Sequence, residues 1–170
     1  MFHAFDSDGP RRSGCSRAEW IALLARAPLP LLEQAMRPHQ DRRRTEWLRP
    51  PETGLYMVQG RAGGTGQRFN LGEVTVTRCA LRSRMDGAHT APVGVAYVLG
   101  RNHRQAELAA MADALLQEQN ADLEQVLLVP VREHLAQQQA QRRTRAQMTK
   151  VDFFTVARET GAGEGEEDEA

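Results

Sequence analysis

Apolar residues follow a helical period at the start of the chain, alternate through its middle third, and return to a helical period afterwards, which predicts an α+β fold. Ser16-Arg17-Ala18-Glu19 reads as a capping box, with the serine accepting from the backbone of Glu19 and the glutamate reaching back to the cap. Trp20, Ile21, Leu23 and Leu24 supply the apolar stripe behind it, and Pro28 and Pro30 stop this helix near Ala27. Pro30 can open a second short helix through Met36. Arg42, Arg43 and Arg44 then precede Trp47, and Pro50-Pro51 predicts a break before the next segment.

Leu55, Tyr56, Met57 and Val58, between Gly54 and Gly60, predict a first strand. In a second strand Val74, Val76 and Ala80 alternate with Thr75, Thr77 and Cys79, which places the valines on the apolar side. Arg61-Ala62-Gly63-Gly64-Thr65-Gly66-Gln67-Arg68 joins the two as a tight, glycine-rich connection. After a turn at Asp86-Gly87, Val93, Val95, Tyr97 and Leu99 predict a third strand. The result is a small antiparallel β-meander that needs cover on one face. A helix capped by Asn102 and running from about His103 to Gln119 supplies it: its alanines favour helix and Leu108, Met111, Leu115 and Leu116 form one apolar face. The apolar segment Leu123 to Val129 leads to Pro130 in the first turn of a last long helix through Met148. Gln137, Gln138, Gln139 and Gln141 make that helix polar, so it should lean on a partner or project. Residues 1–15 read as a disordered arm, 16–158 as one α+β domain and 159–170 as a disordered acidic tail.

A formal net charge of zero disfavours a wholesale nucleic-acid binder, although it hides a basic last helix and the acidic tail. A nucleic-acid adaptor would have to use Arg42 to Arg44 and Arg142 to Arg145, and no stacking aromatics interleave with them. Cys15 and Cys79 share no metal-ligand spacing with histidines and fit reduced thiols. The polar first twenty residues do not make a signal peptide, and no apolar run reaches the roughly 18 residues of a membrane span, so no membrane association and a cytoplasmic location are expected.

The sharpest chemical signal is Gly63-Gly64-Thr65-Gly66 between Arg61 and Arg68. Backbone N–H groups in such a turn can form an anion-binding concavity, and two guanidinium groups beside it would hold phosphate or phosphonate oxygens. A plain hairpin loop is the alternative, because neither a Walker loop nor a dinucleotide fingerprint is present. Arg78 falls with the valines, where a cation needs a partner: an acidic ligand at the strand end, or a structural ion pair. His103 stands at a helix start, where it can touch an anion or be an ordinary surface residue, and Glu107 one turn on fits a helix-surface pair with it. The five histidines lack metal-ligand spacing, so no metal is expected, and no nucleophile–base–orienter set is visible to assign a catalytic residue. Phe153 and Phe154 read as anchors in a pocket of their own domain or of a neighbour.

Taken in order, Glu52-Thr53-Gly54-Leu55, Gly63-Gly64-Thr65-Gly66 with Phe69, Gly72-Glu73-Val74-Thr75-Val76-Thr77-Arg78, Gly100-Arg101, the Ala106 to Leu116 helix and Val151-Asp152-Phe153-Phe154-Thr155 resemble the PhnG family, the G subunit of bacterial carbon–phosphorus (C–P) lyase. The resemblance spans roughly Arg17 to Arg158. It implies assembly with H, I and J subunits into a core complex of phosphonate catabolism, in which a phosphonate displaces adenine from ATP to give ribose 1-phosphonate 5-triphosphate. ATP would then be a co-substrate of the complex, and no cofactor is carried over to this chain, which lacks a cysteine triad for an iron–sulfur cluster. A purely structural assembly subunit without substrate contact is the competing expectation.

Overall fold

The computed structural model describes residues 15–40, 43–85, 91–118 and 120–150. The element order is α1 (Arg17–Leu24), α2 (Leu29–Gln40), β1 (Arg43–Arg61), β2 (Arg68–Met85), β3 (Val93–Leu99), α3 (His103–Gln117), a short α4 (Ala121–Leu123) continuing as a π-helix (Glu124–Leu128), and α5 (Val129–Met148). The strands form one antiparallel sheet in the order β1-β2-β3. The α+β class, the meander and the covering helix are as the residue pattern predicts.

Local chemistry sets most boundaries. At α1 the capping box is complete, with the backbone N–H and hydroxyl of Ser16 donating to Glu19 Oε2 at 2.7 and 2.8 Å. The carbonyl of Pro28 accepts from the N–H groups of both Leu31 and Leu32, so α2 begins at Leu29 and continues past Met36 to Gln40 with Pro38 inside it. Near a helix end that proline interrupts little that follows it. Asn102 caps α3, its side chain accepting from the N–H of Gln105 at 3.0 Å. Pro130 lacks the N–H for an α-helical bond and crowds the carbonyl four residues back, and the wider π turn stands just ahead of it.

Two strand predictions require correction. The first strand is not confined to Gly54–Gly60: β1 runs from Arg43 straight through Pro50-Pro51. It is an edge strand, where a missing N–H need not break the ladder, and register shifts between Trp47 and Arg49 and between Arg49 and Glu52 absorb the proline pair. Nor do the β2 valines make the face that α3 covers: Val74 is exposed, and Val76, though buried, lies on the opposite side of the strand. Thr77, Cys79, Leu81 and Ser83 are the buried series, with Gly94, Ala96 and Val98 beside them on β3. Small residues on this side let α3 approach closely, and a Cβ added to Gly94 would lie 1.9 Å from the carbonyl oxygen of Ala110. The polar members are satisfied: Thr77 Oγ1 donates to Gly100 O at 2.7 Å, Cys79 Sγ to Ala106 O at 3.1 Å, and Ser83 Oγ accepts from Arg43 at 3.1 Å.

Helix α3 is buried at every position from Leu108 to Leu116, because the sheet covers one side and α1 and α2 cover the other. Leu24, Leu32, Met36, Leu127, Leu128 and Val131 complete this helical layer. Asp113 is the buried acid in the α3 run. It accepts from Arg17 through both oxygens (3.2 and 2.8 Å), from Trp20 Nε1 at 2.8 Å and from the N–H of Val95 at 2.9 Å, which ties α1 and β3 to α3. Beyond Leu135 every described residue of α5 is exposed, so this helix projects, one of the two outcomes its polar sequence predicts. Among the described residues no helix is long and apolar enough to cross a membrane.

Candidate functional site

Strand β3 pairs with β2 only between Val76 and Arg82, whereas β1 and β2 stay paired out to Arg61 and Arg68. From Leu55 and Thr75 outward the sheet is therefore a two-stranded ribbon, an arm whose tip is the glycine-rich connection. At about 3.3 Å per residue, the six steps along β1 from Leu55 to Arg61 give the arm a reach of roughly 20 Å.

The tip is a short 3₁₀ turn, Ala62–Gly64, in which Gly63 and Gly64 adopt φ of 58° and 79°. Side chains other than glycine rarely occupy that region, so the residue choice follows from the turn. The N–H of Gly66 closes the turn on Ala62 O at 2.9 Å. Arg61 and Arg68 stand directly opposite each other in the register, both exposed, and neither has a hydrogen-bonding or acidic side-chain partner among the described residues. With Gln59 and Gly60 they line an open depression of about 290 Å³. Two unneutralised like charges across a ladder repel, and an anion between them would remove that cost. Thr65 lies in the same exposed turn.

Arg78 does not join this group. Its register partner is Glu52, ten residues along β2 from Arg68 and so roughly 30 Å from the tip. Its Nε donates to Glu52 Oε1 at 2.6 Å and its Nη1 to Tyr56 Oη at 3.0 Å, while Arg49 donates to the same Glu52 oxygen at 2.6 Å. Arg49 first and Arg78 second hold the Glu52 carboxyl below its usual range, and Glu52 with the Tyr56 hydroxyl raises the pKa of Arg78. The ion-pair alternative for Arg78 thus matches the geometry, and the three arginines do not form one cradle.

His103 and Glu107 also take partners other than each other. Glu107 accepts from Arg104 at 3.0 Å, and His103 Nε2 lies 2.9 Å from Thr53 Oγ1. Thr53 Oγ1 is 3.1 Å from Thr77 Oγ1, whose proton is committed to Gly100 O. The carbonyl at the end fixes the direction: Thr53 donates to Thr77, and His103 donates to Thr53 through Nε2. This chain pins the base of the arm to the start of α3 on one face of the sheet, and the Glu52–Arg78–Tyr56 cluster braces the other.

Cys79 is buried, and desolvation first, with the charge of Glu107 second, pushes its thiol up to about 12, so it remains an unreactive thiol at neutral pH. No group of three or more His, Cys, Asp or Glu residues that could hold a metal occurs among the described residues. Phe153 and Phe154 lie outside the described residues, as do the turn at Asp86-Gly87 and the acidic tail.

The family model of the phosphonate metabolism protein PhnG matches residues 15–159. The chain belongs to the PhnG family. A relative from Rhizobium meliloti (strain 1021), alpha-D-ribose 1-methylphosphonate 5-triphosphate synthase subunit PhnG, is 40% identical over 144 residues, which cover 84% of this chain and 88% of the relative. The PhnG match includes the whole arm, its tip and the Phe153-Phe154 segment. Chemically, the arm offers this family member an apolar stem with one acid, Glu73, and a cationic end, with no side-chain set for covalent or acid–base catalysis among its described residues.

Proposed function

We propose that this chain is a subunit of the C–P lyase core complex that, with H, I and J subunits, displaces adenine from ATP with an alkylphosphonate to give ribose 1-phosphonate 5-triphosphate, and that it contributes phosphate contacts to that step. The observation that carries the reading is the unneutralised Arg61–Arg68 pair facing across the Gly63-Gly64 turn at the end of the arm. A polyanionic substrate supplies the charge this pair lacks. Gly63, Gly64, Thr65 and Gly66 let the backbone come close to it, while Arg78 serves as a brace for the arm instead of a ligand. The name of the Rhizobium relative, a triphosphate synthase subunit, agrees with a phosphate-rich ligand. On this reading the projecting polar half of α5 and the Phe153-Phe154 segment meet neighbouring subunits.

The test is adenine release by the co-expressed and co-purified complex with Arg61→Ala, Arg68→Ala and both together. A charge-assisted hydrogen bond contributes roughly 1.5–3 kcal/mol, so each replacement should lower kcat/KM for ATP by about tenfold or more, with the complex intact. Unchanged kinetics in the double variant would leave the chain a purely structural subunit.

A further inference from the structure

We infer that the β1–β2 arm docks by insertion, its stem clasped on both faces by an apolar cleft of a different subunit of the same synthase, with substrate phosphates at the closed end of that cleft. The inference rests on the synthase-subunit reading above and adds to it the surface through which this chain engages.

Beyond Val76 no third strand pairs with the ribbon and no helix covers it among the described residues, yet both faces are apolar. Leu55 and Met57 continue the α3 side past the end of that helix, at 61% and 52% exposure. Tyr56 and Val74 occupy the opposite face, and Phe69 and Leu71, at 47% and 61%, extend the stem towards the tip. Six side chains of roughly 200 Å² each at this exposure leave about 600 Å² of apolar surface over the two faces together. That area approaches the roughly 800 Å² which one partner gives to a stable interface.

Geometry and charge select the occupant. Pro50-Pro51 and the register shifts around them obstruct strand addition at the base of β1, and the exposed apolar side chains of the arm stand on its two faces, so the faces are the docking surface. An arm exposed on both faces is satisfied by a cleft, not by a flat surface. Between Gly54 and Val76 the arm carries Arg61 and Arg68 against a single acid, Glu73, placed mid-stem opposite Met57. A second copy of the arm would bring two more arginines to the contact, whereas a cleft that ends in phosphate groups complements a largely apolar stem and a doubly cationic tip.

The experiment places the photo-crosslinking residue p-benzoylphenylalanine at Phe69 of the full chain, co-expressed with the remaining synthase subunits. Irradiation should join this chain to another subunit. A crosslink to a second copy of itself, or none from an intact complex, overturns the inference. Independently, the exposed-site variant Leu55→Asp with Leu71→Asp should leave the melting temperature of the isolated chain unchanged and weaken its association with the complex at least a hundredfold. Retention at wild-type stoichiometry overturns it as well. The two readings fail separately: retention of the stem variant in a complex still sensitive to Arg61→Ala defeats insertion alone, and a Phe69 crosslink in a complex indifferent to both arginines defeats phosphate contact and the phosphate-ended cleft, leaving the stem surface as an interface.

Discussion

Replacing Asp113 with alanine should cost more stability than any comparable change on the surface, because three elements converge on its carboxylate. The side chain is fully buried and accepts four hydrogen bonds, two from Arg17, one from the indole of Trp20 and one from the backbone of Val95. Alanine would leave the Trp20 and Val95 N–H groups unpaired, at about 1–3 kcal/mol each. The Arg17 contribution is smaller than that of a fully buried pair, since its side chain is 45% exposed and keeps a bond to Val93 O at 3.0 Å. Together these give a loss of roughly 3–4 kcal/mol, a large part of the 5–15 kcal/mol available to a domain, and a melting temperature lower by about 10 °C. Asp113→Asn should be nearly as costly: whichever way the amide is turned, its NH₂ group meets donors. Urea denaturation followed by tryptophan fluorescence reports the transition directly, since Trp20 is one of the partners. A cooperative Asp113→Ala transition within about 1 kcal/mol of wild type would refute the reasoning.

Gly94→Ala drives a Cβ to 1.9 Å from Ala110 O, so α3 must withdraw from the sheet by more than an ångström; a loss of about 3 kcal/mol is expected, against almost none for Gly54→Ala, where nothing lies within 4 Å. Thermal denaturation of the two variants side by side checks the difference. For Cys79 the folded thiol titrates near 12 against 9.0 ordinarily. Below pH 9 both states hold the proton; above it the unfolded chain releases the proton first. Stability from this group is therefore lost between pH 9 and 12, by up to about 1.4 kcal/mol per pH unit. Cys79→Ala should flatten that part of the pH–stability curve, measured under reducing conditions relative to wild type.

The helices were legible where local chemistry fixes them. Ser16 with Glu19, Asn102 before His103 and Pro130 in the first turn of the last helix are short-range signals that the fold leaves intact. What escaped the sequence depends on contacts distant along the chain. The buried face of β2 follows from which side of the strand the alanine-rich helix packs on, so that Thr77, Cys79 and Ser83 are buried beside Leu81 although periodicity ranks the valines as core. Asp113 binds groups 18 to 96 residues away, and the local hint to it is an acid set among Met111, Ala112, Ala114 and Leu115 on the apolar part of that helix. For the candidate site, Arg61 and Arg68 stand out in the sequence because they flank a glycine turn, and the register sets them opposite each other. Arg78 was grouped with them because a sequence shows the need for a counter-charge without showing that Glu52, on another strand, supplies it.

The separation of Arg78 from the tip explains how so long a ribbon can be ordered at all. A free two-stranded hairpin is marginal in water, and this one spends apolar side chains on solvent. Its order has to come from its base, where Glu52 bridges Arg49 and Arg78 on one face and Thr53 links His103 to the buried Thr77 on the other. These contacts fix the direction in which the arm leaves the body, through α3, which Asp113 holds against α1 and β3. A rigid exit from a well-anchored core keeps the arginine pair at a defined distance and angle, a preorganisation that a flexible loop of the same composition would have to acquire on binding.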